Sequence, residues 1–224
     1  MTDDKFKLPQ NAFVNKFIAK TKFYERASLS SKLQKEFIKK IQKITWKFKL
    51  AQDTIGISKT DSVEEIQIFE IALKEQVIPK NVLKVIDKAI PYQILYQFVY
   101  KDNTAYGITL KGQILKTMTE KESAAAWNYY FSGWNEDLDF DFTGIDLEKV
   151  YQKVIKAFIS NEAKYRGDFD AIIKVDSQIK SLEKEIETLS SKIKKEKQFN
   201  RKVELNKSLL KKQKQLQSIK ENGK

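Results

Sequence analysis

From Ile172 to Ile193 the apolar residues recur in alternating steps of three and four: Ile172, Val175, Ile179, Leu182, Ile186, Leu189 and Ile193. That is the a/d seam of a coiled coil, and a seam needs another helix to cover it. The phase breaks after Ile193, because the next seam positions are Glu196 and Asn200. Leu205, Leu209, Leu216 and Ile219 then set up a second apolar face. Two arrangements fit. One is a stutter in a continuous helix; the other is a turn over 195–200 that closes an antiparallel helical hairpin. No Gly or Pro lies in that stretch, which favours the continuous helix. Such a helix would need a second chain or a partner protein along its length.

Upstream, the pattern changes repeatedly. A short basic arm, with Phe13, Val14, Phe17 and Ile18 as apolar anchors, leads to Leu29-Ser30-Ser31. Ser30 or Ser31 can cap free amides, so a helix is expected to start there. Leu33, Phe37, Ile41, Ile44 and Phe48 continue one face at helical spacing. The run Ile44-Thr45-Trp46 is rich in strand formers, so this helix is expected to end near Gln42. Val63 to Leu73 alternates as a strand. Pro79 suits a helix start, and Val82, Leu83, Val85, Ile86 and Ile90 would bury that helix until Pro91 ends it. Gln93–Tyr100 and Ala105–Leu110 flank turn chemistry at Lys101-Asp102-Asn103-Thr104, which reads as a hairpin. Trp127 to Phe131 is again strand-like, and Leu147 to Ile159 is amphipathic behind a capping Asp146. The order implies an α+β fold. It has a small, mainly antiparallel sheet of about four strands with helices on one face, plus a long C-terminal coiled-coil helix or helical hairpin. The expected divisions are an arm and basic helix over 1–50, the α+β core over 51–160, a linker over 161–167 and a basic coiled coil over 168–224.

Composition removes several chemistries. Neither Cys nor His occurs among the 224 residues. Thiolate and imidazole metal ligands, disulfides, and Ser-His or Cys-His nucleophile pairs are therefore ruled out. The seven glycines are isolated, so no Gly-rich phosphate cradle is present, and no cofactor is expected. No apolar run approaches the ~20 residues that span a bilayer, and a cytoplasmic protein without a membrane partner is expected. The net charge is +12, and the stretch Ser191–Lys224 supplies +9 of it, from twelve basic and three acidic residues. Solvated lysine faces account for such a surface, and so does contact with nucleic acid.

Lys32, Lys35, Lys39 and Lys43, with Lys194, Lys197, Arg201 and Lys202, are the candidate phosphate contacts. Glu65 and nearby acids on the 63–73 strand could hold a hard divalent ion, as in a metal-dependent nuclease, but no second acid with a spaced Lys accompanies them. The acidic loop Asn135 to Asp141 lacks the central Gly and closing Glu of a calcium loop. Tyr129, Tyr130 and Phe131, with Trp127 and Trp134, could stack bases, although strand aromatics more often build a core.

Several stretches resemble the bacterial domain of unknown function 4391 family. They are Lys22-Phe23-Tyr24-Glu25, Ile44-Thr45-Trp46-Lys47, Glu64 through Glu70, Ile78-Pro79-Lys80, the Trp127 to Trp134 aromatic strand, Gly144-Ile145-Asp146-Leu147 and, most specifically, Lys195 to Asn206. One departure is Ile18-Ala19-Lys20, where the family tends to have Ile-Pro-Lys. The resemblance implies a neighbourhood more than an activity. Genes of this family tend to lie beside those of superfamily 2 helicases and DNA methyltransferases in restriction-like or anti-phage defence clusters, and no agreed catalytic residues carry over. The implied role is an accessory, non-catalytic subunit acting with a helicase or methyltransferase. The expected partner surface is Ile179, Leu182, Ile186, Leu189 and Ile193 with Phe199, Asn200, Arg201 and Asn206. Homodimerisation through the coiled coil and direct binding of DNA are the other partner expectations.

Overall fold

The computed structural model describes residues 5–27, 29–111 and 128–221. Trp127 and the beginning of the run expected from Ala124 lie outside these residues. The chain forms two compact units, Met1–Phe158 and Ile159–Lys224.

The first unit is built on a six-stranded sheet whose spatial order follows the sequence, β1 (Phe13–Phe17), β2 (Ile41–Leu50), β3 (Ile66–Leu73), β4 (Gln93–Tyr100), β5 (Asn103–Leu110) and β6 (Asn128–Phe131). All neighbouring pairs are antiparallel except β3 and β4, which run parallel with a helical crossover between them. A parallel pair requires such a crossover, because its second strand must restart at the same end as the first.

The sheet has six strands rather than about four because β1 and β2 lie in segments read as arm and helix. The helix that Ser30 caps is α2 (Ser31–Lys40); its predecessor is α1 (Thr21–Ala27). The Ser30 hydroxyl accepts from the Leu33 amide as expected. The chain becomes extended at Ile41, close to the expected end at Gln42. Two bulges, between Ile41 and Lys43 and between Trp46 and Phe48, each insert one extra residue into β2. They replace strict alternation with buried residues at Ile41, Ile44 and Phe48, a spacing that imitates a helix.

One face of the sheet carries Ile44, Phe69, Ile71, Tyr96, Phe98 and Ala105. It is covered by Phe23 of α1, Phe37 of α2, and Val82, Leu83 and Ile86 of α4 (Lys80–Ala89). A short α3 (Gln52–Ile55) follows β2. The opposite face is also covered, by aromatic residues from distant segments. Phe6 meets Phe48, Tyr106 and Phe140 at ring separations of 5.7, 6.1 and 5.8 Å. Phe140 in turn meets Phe158, which follows α5 (Leu147–Lys156). The side chain of Asp146 caps α5 by accepting from the Lys149 amide.

The second unit contains α6 (Asn161–Lys164), α7 (Phe169–Lys195) and α8 (Phe199–Glu221). Gly167, at φ +88°, supplies a left-handed residue just before Asp168 caps α7. The continuous helix favoured by the absence of Gly and Pro does not form: α7 and α8 fold into an antiparallel hairpin. The chain turns in the extended conformation at Glu196, and the Glu196 carboxylate accepts from the amides of Lys197 and Gln198, each at 2.9 Å. A side chain thus satisfies amides at the start of α8, the role for which a short polar cap is usually expected. Ion pairs Lys212–Glu185 at 2.7 Å and Lys220–Glu183 at 2.9 Å set the register.

Candidate functional site

The expected lysine stripe is divided between two elements. Lys32, Lys35 and Lys39 are exposed along one side of α2, whereas Lys43 lies on β2. Lys194 closes α7, Lys197 lies in the turn, and Arg201 and Lys202 open α8. Arg201 stands 3.7 Å from the Glu196 carboxylate.

The expected partner residues separate into two groups. Leu182, Ile186, Leu189 and Ile193 are half-buried within the hairpin, as are Leu205, Leu209, Leu216 and Ile219, and Ile179 is buried. The register places these two rows against each other, so the seam is occupied by the chain's own α8. Phe199, Asn200, Arg201 and Asn206 remain exposed. Phe199 (78% exposed), Val203 (37%) and Leu210 (58%) recur at spacings of four and seven and form an apolar stripe on α8 away from the seam.

The strand acids are held by lysines. Glu65 is 3.3 Å from Lys49, and Glu70 is 3.4 Å from Lys47. Among the described residues no group of three or more acidic side chains is placed to hold a metal ion. In the acidic loop, Asp141 accepts from the amide and hydroxyl of Thr143 and pairs with Lys153 at 2.8 Å. Lys153, then Thr143, lower its carboxyl to about 2. Tyr129 and Phe131 stack on each other against the core, with ring centroids 5.6 Å apart.

Two features of the first unit have no counterpart in the sequence pattern. One is a buried polar hub. Asp87 lies on the inward face of α4 with its side chain fully buried. Its Oδ2 accepts from the Thr109 hydroxyl at 2.9 Å and from the Tyr129 hydroxyl at 2.6 Å. Lys111 Nζ lies 3.2 Å from its Oδ1 and donates to the carbonyls of Ile90, at 3.0 Å, and Tyr92. Tyr151 donates to the Thr109 carbonyl. Burial, and then the Asp87 carboxylate, push the hydroxyls of Tyr96, Tyr129 and Tyr151 well above the usual phenol range. Burial pulls the Lys111 ammonium down, and Asp87 opposes that shift. The hub ties α4 to β5 and β6, and Lys111 closes over the carbonyls at the end of α4. The available signal was an acid at Asp87, four residues after Leu83 on an otherwise apolar helix face.

The other feature is a cavity of about 250 Å³ bounded by the end of β1, the start of α1, and the 89–92 connection after α4. Trp46, Phe69 and Gln67 contribute to its lining, with Lys16 and Lys22. Lys16 and Trp46 are cross-strand partners, as are Trp46 and Phe69, so the β-ladder itself sets this row.

A family model described as Domain of unknown function (DUF4391) matches residues 6–216. The chain belongs to this family. The match runs through both units, so the sheet and the hairpin are both parts of what the family shares. The stretch Lys195 to Asn206, the most specific part of the resemblance, forms the end of α7, the turn and the first two turns of α8. No curated protein and no solved structure matches the chain. No helix among the described residues is long and apolar enough to cross a membrane.

Proposed function

We propose that this protein is a non-catalytic interaction subunit of a helicase- or methyltransferase-type DNA-processing complex, of the kind found in anti-phage defence clusters, and that it docks through its C-terminal hairpin. The observation that carries this reading is the exposed stripe Phe199, Val203 and Leu210. It sits on a helix whose seam face is already used. Three large apolar side chains in line are too ordered an exposure to be explained as scattered surface residues. Helix α8 carries seven basic and two acidic residues, so the complementary occupant is an acidic amphipathic helix of the partner. A second copy of α8 would bring the same positive charge to the interface.

The test is co-purification with the helicase or methyltransferase encoded beside it, followed by titration. Phe199→Asp with Leu210→Asp should weaken binding by at least about thirtyfold, the scale of removing an interface anchor. Phe199→Ala with Arg201→Ala should weaken it more than Leu182→Ala, which acts inside the hairpin. Failure to bind either neighbour, or equal effects of the two substitutions, would refute the assignment.

A second reading is direct contact with nucleic acid. It is favoured by Lys32, Lys35 and Lys39, which are exposed on one side of α2 without an acidic partner among the described residues. Substituting all three with Ala should then flatten the dependence of affinity on salt by a slope of up to about three, one for each phosphate no longer neutralised. An unchanged slope would remove α2 from the interface.

A further inference from the structure

We infer that the cavity beside Gln67 is a binding site for a single nucleotide unit, taking a nucleobase in its interior and a phosphate on its rim. The inference is independent of the hairpin surface, because every lining residue lies between Lys16 and Tyr92.

The walls select the ligand class. Trp46 and Phe69 are partners across β2 and β3 and present adjacent aromatic surface, while Ile90 and Pro91 bring an apolar side from the connection after α4. Trp46 is fixed from behind, since its indole N–H donates to the Phe48 carbonyl at 3.0 Å. A rigid aromatic surface of this kind favours a flat π-system.

One polar group inside the cavity is built for recognition. Gln67 is only 6% exposed and lines the site. Its amide nitrogen donates to Glu65 Oε2 at 3.2 Å. A carboxylate can only accept, so this hydrogen bond orients the amide with its nitrogen toward Glu65 and leaves Oε1 to serve as an acceptor. A carbonyl held this way in the cavity wall suits an N–H from a ligand, which the exocyclic amino or ring imino groups of nucleobases provide. Glu65, a candidate metal ligand by sequence, acts here through Gln67.

The rim supplies charge. Lys16 and Lys22 both border the cavity and are exposed, so either can reach an anion without desolvation. The end of a helix normally repels anions through its free carbonyls. At the end of α4 that field is offset by Lys111, whose ammonium holds the carbonyls of Ile90 and Tyr92. The volume of about 250 Å³ lies below the ~300–1,000 Å³ of drug-sized sites, so one base fits inside and its phosphate stays at the lysines.

This chemistry could come from a free nucleoside monophosphate or from an unpaired nucleotide in a single strand. The experiment titrates the intact protein with the four deoxynucleoside monophosphates and with short single-stranded oligonucleotides, followed by calorimetry and by tryptophan fluorescence. The expected result is saturable binding of at least one monophosphate with Kd below about 1 mM. Lys16→Ala with Lys22→Ala should weaken it by about tenfold or more without moving the thermal midpoint, since both side chains are exposed. Gln67→Met should reduce discrimination among the bases to within about threefold while leaving the salt dependence in place. A monophosphate as tight as the oligonucleotide identifies a free-nucleotide site; an oligonucleotide tighter by about tenfold or more identifies a strand site. Absence of binding by monophosphates and oligonucleotides alike would overturn the assignment, as would binding indifferent to the Lys16/Lys22 pair.

Discussion

Replacing Asp87 with Ala is the most informative perturbation of the sheet unit, because one carboxylate there organises groups from three elements. Its removal takes the paired carboxylate from the Lys111 ammonium, whose side chain is only 12% exposed. It also leaves the Thr109 and Tyr129 hydroxyls without their acceptor. Breaking a buried ion pair from one side costs about 3–5 kcal/mol. Tyr129→Phe removes a single charge-assisted hydrogen bond, for about 1.5–3 kcal/mol. The double substitution Asp87→Leu with Lys111→Met removes both charges, so it should cost far less than the sum of its single changes, with a coupling of about 2 kcal/mol or more. Urea unfolding followed by tryptophan fluorescence is the suitable assay. The hairpin carries no Trp, whereas Trp46 and Trp134 belong to the first unit, so the signal does not report the hairpin. An Asp87→Ala cost below about 1 kcal/mol would refute the hub. Additivity of the two single changes within about 0.5 kcal/mol would do the same.

Three further outcomes follow from the geometry. A Cβ at Gly107 would lie 2.7 Å from the Phe131 ring and 2.9 Å from the Phe98 ring, so Gly107→Ala should destabilise the sheet unit by about 1–3 kcal/mol, and a neutral result would mean that these rings yield freely. The Asp141 carboxyl should titrate near pH 2 by NMR, and Lys153→Met should raise that midpoint toward 3.8. Because its native value is depressed, its contribution is present above about pH 4 and is lost as pH falls through 2; being half exposed, it amounts to less than about 1 kcal/mol. An unmoved midpoint in Lys153→Met would assign the shift elsewhere. Glu196→Ala should accelerate amide hydrogen exchange at Lys197 and Gln198 several-fold while leaving mid-helix amides of α7 unchanged, and equal protection would show that the turn holds without its carboxylate.

The residues explain which parts of the fold were legible. Ser30, Pro79, Asp146 and the Lys101-Asp102 turn announce their elements through local chemistry that the structure uses directly. Strand β2 hid because its bulges give it a helical spacing, a tertiary feature written over a local one. The turn at Glu196 hid because its cap is a glutamate reaching forward by one and two residues, not a Gly or Pro. Glu65 and Gln67 do share one strand face, but their partners there come from β1, α1 and the 89–92 connection, which no local pattern joins to β3. The basic residues were easy to find and hard to interpret, since charge on a surface does not name what it meets.

The order of the sheet also bears on how the chain assembles. Each strand sits beside its neighbours in sequence, so each pairs with the strand made just before it, across the tight turn between β4 and β5 and across longer connections elsewhere. A sheet wired this way can grow during synthesis, one strand at a time from the N-terminus. The aromatic layer on its second face cannot, because Phe6 waits for Phe140, which emerges only after β6 is complete. During that interval the nascent protein presents a finished sheet with Phe48, Ile68 and Tyr106 uncovered. Ribosome-bound chains stalled before Phe140 should therefore recruit chaperones that chains stalled well beyond Phe158 release, which makes the last aromatic residues of the first unit the timing element of its folding.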